Sequence, residues 1–174
     1  SKLLATRRPG QPLFRYTYAD FAERTRRLAG VLRDLGVRKG DRVATLAWNS
    51  HRHRELYWAI PLSGAVLHTL NFRLSADDLT YIVNHAGDSV IFVDESVWPV
   101  LAAIRDRLTT VRKIVVMHDG PPSTGGHQTA RADVPADVPE YEALITAATP
   151  LPEWPALSET DAAAMCYTSG TTGH

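Results

Sequence analysis

The chain has 174 residues, 44% of them hydrophobic and 22% charged, which suits one ordinary globular unit. Lysines and arginines number 19, aspartates and glutamates 19, so there is no basic excess to draw nucleic acid or an anionic membrane surface as main partner. One cysteine, Cys166, excludes an internal disulfide framework, and no apolar run approaches the roughly 20 residues of a membrane span. Eleven glycines and eleven prolines are too few for a collagen-like or wholly disordered chain. The composition leads us to expect a cytoplasmic protein without a secretion signal, since Ser1–Gly10 holds no long apolar stretch.

The first predicted helix carries Tyr18, Phe21, Ala22, Thr25, Leu28, Ala29, Leu32 and Leu35 at helical spacing. Thr17 is its expected cap, with Asp20 three residues on, and Gly36 its stop. Arg24, Arg26, Arg27 and Arg33 fall mostly off the stripe and read as a solvated face. A turn over 37–41 precedes a strand at 43–48. Asn49 or Ser50 then caps a second helix through Leu56, Tyr57 and Ile60, and Pro61 ends or kinks it. Residues 65–71 form the next strand. Ser75 caps a third helix with Asp77 and Asp78 in its positive first turn, and Gly87 closes it.

Residues 89–94 are a continuous apolar strand. Ser96 is expected to cap a fourth helix reaching Leu108, with Pro99 in its first turn. A strand follows at 113–117, then a mobile surface loop over 119–140, rich in Gly and Pro. A short helix at 141–147, an extended stretch at 149–157 and a lead-in at 161–167 complete the order. Strands that are apolar throughout, alternating with helices, predict an α/β fold: a mainly parallel sheet covered by helices on both faces.

The chemistry concentrates in Tyr167–Gly173, YTSGTTG. Two glycines let backbone approach a ligand, successive N–H groups can cradle phosphate oxygens, and hydroxyls can donate to phosphate or coordinate magnesium. By composition alone a hairpin or linker turn is the more ordinary reading of such a segment. It is neither a Walker A loop nor a dinucleotide fingerprint. Cys166 reads as a buried strand residue and not a catalytic thiol. His51 and His53, two apart, have poor spacing for a metal on a helix. His68 reads as a hydrogen-bonded core histidine, Trp48, Tyr57, Trp58 and Phe72 as packing residues, and Asp77–Asp78 as a helix-start charge pair.

Tyr167–Gly173 resembles the phosphate-loop signature of the AMP-forming acyl-CoA synthetases, in the adenylate-forming (AMP-binding) superfamily. The stretch Phe14–Asp94 resembles the start of the medium- and long-chain fatty-acid ligases, through Gly40-Asp41-Arg42-Val43, Trp48-Asn49, Gly64–Asn71 with Arg73-Leu74, and Tyr81–Ala86. The resemblance implies carboxylate activation by ATP to an acyl-adenylate and then thioester formation with coenzyme A, with a fatty acid as substrate. It implies that Thr168, Ser169, Gly170, Thr171, Thr172 and Gly173 contact the β- and γ-phosphates and that Thr168 holds magnesium, with no catalytic residue inside this stretch. The family signature continues with Pro-Lys-Gly, whereas the chain ends at His174. The expectation is therefore the first part of the large N-terminal domain of a longer enzyme, inactive alone, with a homodimer as the candidate assembly of the parent. A non-catalytic α/β binding or interaction module is the alternative.

Overall fold

The structure, a computed structural model, describes residues 3–6, 13–118 and 133–168. Five strands form one parallel sheet: β3 (Arg42–Leu46), β4 (Val66–Thr69), β5 (Asp88–Asp94), β6 (Lys113–Met117) and β7 (Ala164–Met165), in the spatial order β6-β5-β3-β4-β7. A separate antiparallel pair, β1 (Leu3–Thr6) with β2 (Phe14–Thr17), precedes it and was not anticipated from the sequence. From the central β3 the chain steps to β4 on one side. It then crosses back to β5 and β6 on the other, and returns to β7 beside β4.

Alternating side chains divide the core into two layers. Val43, Val90, Phe92, Val115 and Met117 face α1 (Tyr18–Asp34), α2 (His51–Leu62) and α5 (Tyr141–Ala147). Ala44, Leu46, Ile91, Val93 and Val116 face α3 (Ala76–Ala86) and α4 (Trp98–Ala102). Both sheet faces are thus covered, which is why the strands are apolar at successive positions.

Local signals set the helix ends as expected. Thr17 and Asp20 form a reciprocal capping box on α1. Ser50 accepts from the His53 N–H and Ser75 from the Asp78 N–H. Gly87 closes α3 in the left-handed region at φ 70°. The Arg42 guanidinium completes that end by donating to the Ala86 and Gly87 carbonyls at 2.7 and 3.1 Å. Pro61 sits inside the last turn of α2, which ends one residue later.

The fourth helix departs from expectation. Glu95–Val97 is a 3-10 turn, α4 spans only Trp98–Ala102, and Arg105–Arg107 is a second 3-10 turn, with no side-chain cap bond at any of the three starts. Tertiary contacts override the helical pattern here. Asn84 on α3 donates to the Arg107 carbonyl and accepts from the Thr109 N–H at 3.0 and 2.8 Å, tying the segment down before it can continue. Val97, Leu101 and Ile104 stay buried regardless. Part of the stretch read as a loop, 119–132, lies outside the described residues. Of the remainder, Val138 is buried, the Asp133 carbonyl accepts from the Trp98 indole N–H, and Glu140 bridges to Val116.

Candidate functional site

β7 is the edge strand nearest the Gly/Thr-rich segment. It pairs with β4 through Leu67↔Ala164 and His68↔Met165 only, and the Leu67 N–H donates to the Ala163 carbonyl at 3.0 Å. Upstream, Lys39 bonds Asp161 at 2.7 Å, which lowers the Asp161 pKa. Downstream, Tyr167 and Thr168 leave β7 toward the carboxyl end of the parallel sheet, the side on which open α/β sheets hold ligands. Thr168 is exposed, and its hydroxyl makes no hydrogen bond among the described residues. It is a hard oxygen donor free to meet a phosphate or a magnesium ion, so the residue fits that role. The other expected phosphate contacts, Ser169, Gly170, Thr171, Thr172 and Gly173, lie outside the described residues.

Beside Thr168, side chains from two elements, α3 and β4, meet the Tyr167 ring. Its hydroxyl lies 2.5 Å from Nδ1 of His85 on α3. The His85 ring stacks on Tyr81 one helical turn earlier, with centroids 5.2 Å apart. On β4, the His68 ring centre is 5.4 Å from that of Tyr167. His68 Nδ1 is bonded to both carboxylate oxygens of Asp88 at 2.8 and 3.0 Å, both side chains being essentially buried. Burial raises the Asp88 pKa, with His68 and Arg42 pulling it back. Burial also raises the Tyr167 pKa, with Tyr81 and Asp88 adding to the effect.

His68 is therefore the hydrogen-bonded core histidine expected. Cys166 is not the buried strand residue expected: it is exposed and stands one residue past β7, an edge strand with no further strand beyond it among the described residues. The aromatic residues also differ. Trp48, Tyr57 and Trp58 are about half exposed, at 45%, 48% and 51%. Trp48 instead meets Phe72 at the carboxyl ends of β3 and β4, with rings 4.6 Å apart. Tyr57, Trp58, Pro61, Leu62 and Leu157 line an open groove of about 550 Å³. His53 bonds Thr45 at 3.0 Å, and burial lowers its pKa. Asp78 serves the α3 cap, and Asp77 pairs with Arg107 at 2.7 Å. Among the described residues no group of His, Cys, Asp or Glu could hold a metal ion.

Arg24, read as part of a solvated face, is the clearest miss. It donates to both carboxylate oxygens of the fully buried Glu55 at 2.8 and 3.1 Å, and to Glu142 at 2.9 and 3.1 Å. The Tyr141 hydroxyl adds a 2.7 Å bond to Glu55, and Arg52 reaches Glu142 at 2.7 Å. Burial alone would raise the Glu142 pKa, but His51, Arg24 and Arg52 hold it well below the usual carboxylate range. No local pattern marked Glu55, which follows the polar run His51–Arg54 on α2. This network joins α1, α2 and α5 and does no chemistry at the β7 edge.

Sheet order and helix placement define a doubly wound α/β protein, a class in which ligands sit at the carboxyl ends of the strands. The chain belongs to the AMP-binding enzyme family, whose model matches residues 5–174. It is 42% identical over 160 residues to the 3-methylmercaptopropionyl-CoA ligase of Ruegeria lacuscaerulensis, covering 92% of this chain and 28% of that protein. It is 45% identical over 159 residues to the long-chain-fatty-acid–CoA ligase of Thermus thermophilus, covering 91% of this chain and 26% of the relative. The solved structure of the Mycobacterium tuberculosis fatty acyl CoA synthetase matches with a TM-score of 0.70 at 28% identity, over 90% of this chain and 28% of that one. The chain thus spans little more than a quarter of the length of these relatives. No helix of the described residues is long and apolar enough to cross a membrane.

Proposed function

We propose that the complete protein is an AMP-forming acid–thiol ligase and that this chain is the first part of its large nucleotide-binding domain. A carboxylate oxygen attacks the α-phosphorus of ATP and pyrophosphate leaves. The thiol of coenzyme A then attacks the acyl carbon and AMP leaves. The observation that carries this reading is Tyr167–Gly173, launched from the edge strand at the carboxyl end of a parallel sheet. Backbone N–H groups and hydroxyls of 168–173 would hold the β- and γ-phosphates and stabilise charge gathering on the leaving pyrophosphate. Magnesium, held by Thr168, would supply further neutralisation of that charge.

Two relatives named above bear names that span a short thioether acid and long-chain fatty acids. The substrate we propose is accordingly an aliphatic carboxylate, with a fatty acid as first choice. The test is pyrophosphate release by the complete protein with ATP, coenzyme A and a panel of aliphatic and aromatic carboxylates. Release that depends on an aliphatic acid is expected. Release independent of any carboxylate, or with aromatic acids only, overturns the reading. The 174-residue chain alone should form no acyl-adenylate, because it supplies only one wall of the site.

A further inference from the structure

The backbone holds the launch point of the proposed phosphate loop thinly. β7 has two residues and two register pairs, and its far edge is unpaired among the described residues. Side chains supply what the ladder does not. The Tyr167 hydroxyl is bonded to His85 Nδ1 at 2.5 Å, although 82 residues separate them. His85 is itself stacked on Tyr81, with planes 19° apart. The Tyr167 ring packs against that of His68, tilted 41° with centroids 5.4 Å apart, and His68 is held by two contacts to the buried Asp88. His68 Nε2 is buried with no hydrogen-bond partner among the described residues. A phenol bonded at its hydroxyl and packed against a second ring restricts the adjoining backbone at Thr168.

We propose that Tyr167 and His85, on the floor formed by His68 and Asp88, are positioning residues that fix where the phosphate loop begins and so set the affinity for the triphosphate of ATP. This rests on the proposed ligase reading. None of the four need touch the nucleotide; they act through the backbone at Thr168. Pre-orientation of a binding loop lowers the ordering cost of ligand capture, so loosening it weakens binding of that ligand selectively.

The experiment measures steady-state constants for ATP, carboxylate and coenzyme A in the complete protein and its variants. Tyr167→Phe keeps the ring and loses the hydroxyl. His85→Ala removes the partner, and His85→Gln offers an amide oxygen in its place. Tyr167→Phe and His85→Ala should each raise KM for ATP about five- to tenfold, the loss of one well-placed hydrogen bond. KM for the other two substrates should stay within about twofold. The double variant should be no worse than either single one, since both break the same bond, and His85→Gln should recover most of the loss. An unchanged KM for ATP in both single variants overturns the proposal, as does a parallel shift for all three substrates or additive single effects. If the wild-type complete protein releases no carboxylate-dependent pyrophosphate, the ligase reading falls first and takes this one with it. Wild-type activity with unaffected variants removes only the clamp.

Discussion

Glu55 has none of its side chain exposed, and its partners there are the Arg24 guanidinium and the Tyr141 hydroxyl. Removing one partner of a buried pair strands the other charge, at a cost of about 3–5 kcal/mol. Arg24→Met should therefore lower the unfolding temperature of the complete protein sharply, and Arg24→Met with Glu55→Met should restore most of it, because the second change removes the stranded charge. Equal destabilisation by the single and double variants would count against the pairing. Glu142 gives the pH dependence. Its pKa is depressed in the folded state, so the stabilisation it brings is complete at neutral pH. That stabilisation drains away as pH falls below its ordinary value of 4.5, when the unfolded chain binds the proton first. Glu142→Gln should flatten the fall of melting temperature between about pH 5 and pH 3. An unaltered slope would place the acid sensitivity elsewhere.

Helix α1 and the segment that follows α5 approach each other more closely than any side chain would permit. A Cβ added at Gly30 would stand 2.1 Å from the Thr149 carbonyl oxygen, which belongs to backbone and cannot swing aside. Neighbouring bonds fix that approach: the Leu151 N–H donates to the Arg26 carbonyl at 2.9 Å, and the Arg27 guanidinium to the Ala148 carbonyl at 3.1 Å. Alanine in place of glycine inside a helix ordinarily stabilises by about 1 kcal/mol. At this position overpacking should win, and Gly30→Ala should destabilise by about 1–3 kcal/mol, read by thermal unfolding. A rise in melting temperature would show that the two segments part easily. The sequence stripe on α1 did mark this face, since Thr25, Leu28, Ala29 and Leu32 are buried. It could not mark Gly30 as a contact, because the contact lies on a segment more than a hundred positions away.

Across the whole chain, one flank stands apart from the two-layered core. Trp58 and Tyr57 on α2 and Leu157 beyond α5 line an apolar groove next to the β7 edge, whose far side is unpaired among the described residues. Exposed strand edges and contiguous apolar patches are prone to association. Purified by itself, the 174-residue chain should sediment as a concentration-dependent mixture of monomer and larger species. Trp58→Lys should shift it toward monomer. A clean monomer at all concentrations with a cooperative, high-temperature melt would contradict this.

Sequence alone determined the elements whose signals are local: the capping box at Thr17 and Asp20, the Ser75 cap, the Gly87 stop, and the apolar strands that demanded a sheet covered on both faces; for α2 it offered Asn49 or Ser50, and the structure has Ser50. It also exposed YTSGTTG, because a phosphate cradle needs its glycines and hydroxyls consecutively. Tertiary structure alone decided the strand order, the early end of α4 imposed by Asn84, the exposure of Cys166, the burial of Arg24 against Glu55, and the bond from Tyr167 to His85. Each of these joins residues far apart in the chain, and no periodicity or cap encodes such a meeting. The bond from Tyr167 to His85, for one, arises only when the fold brings the end of β7 beside α3.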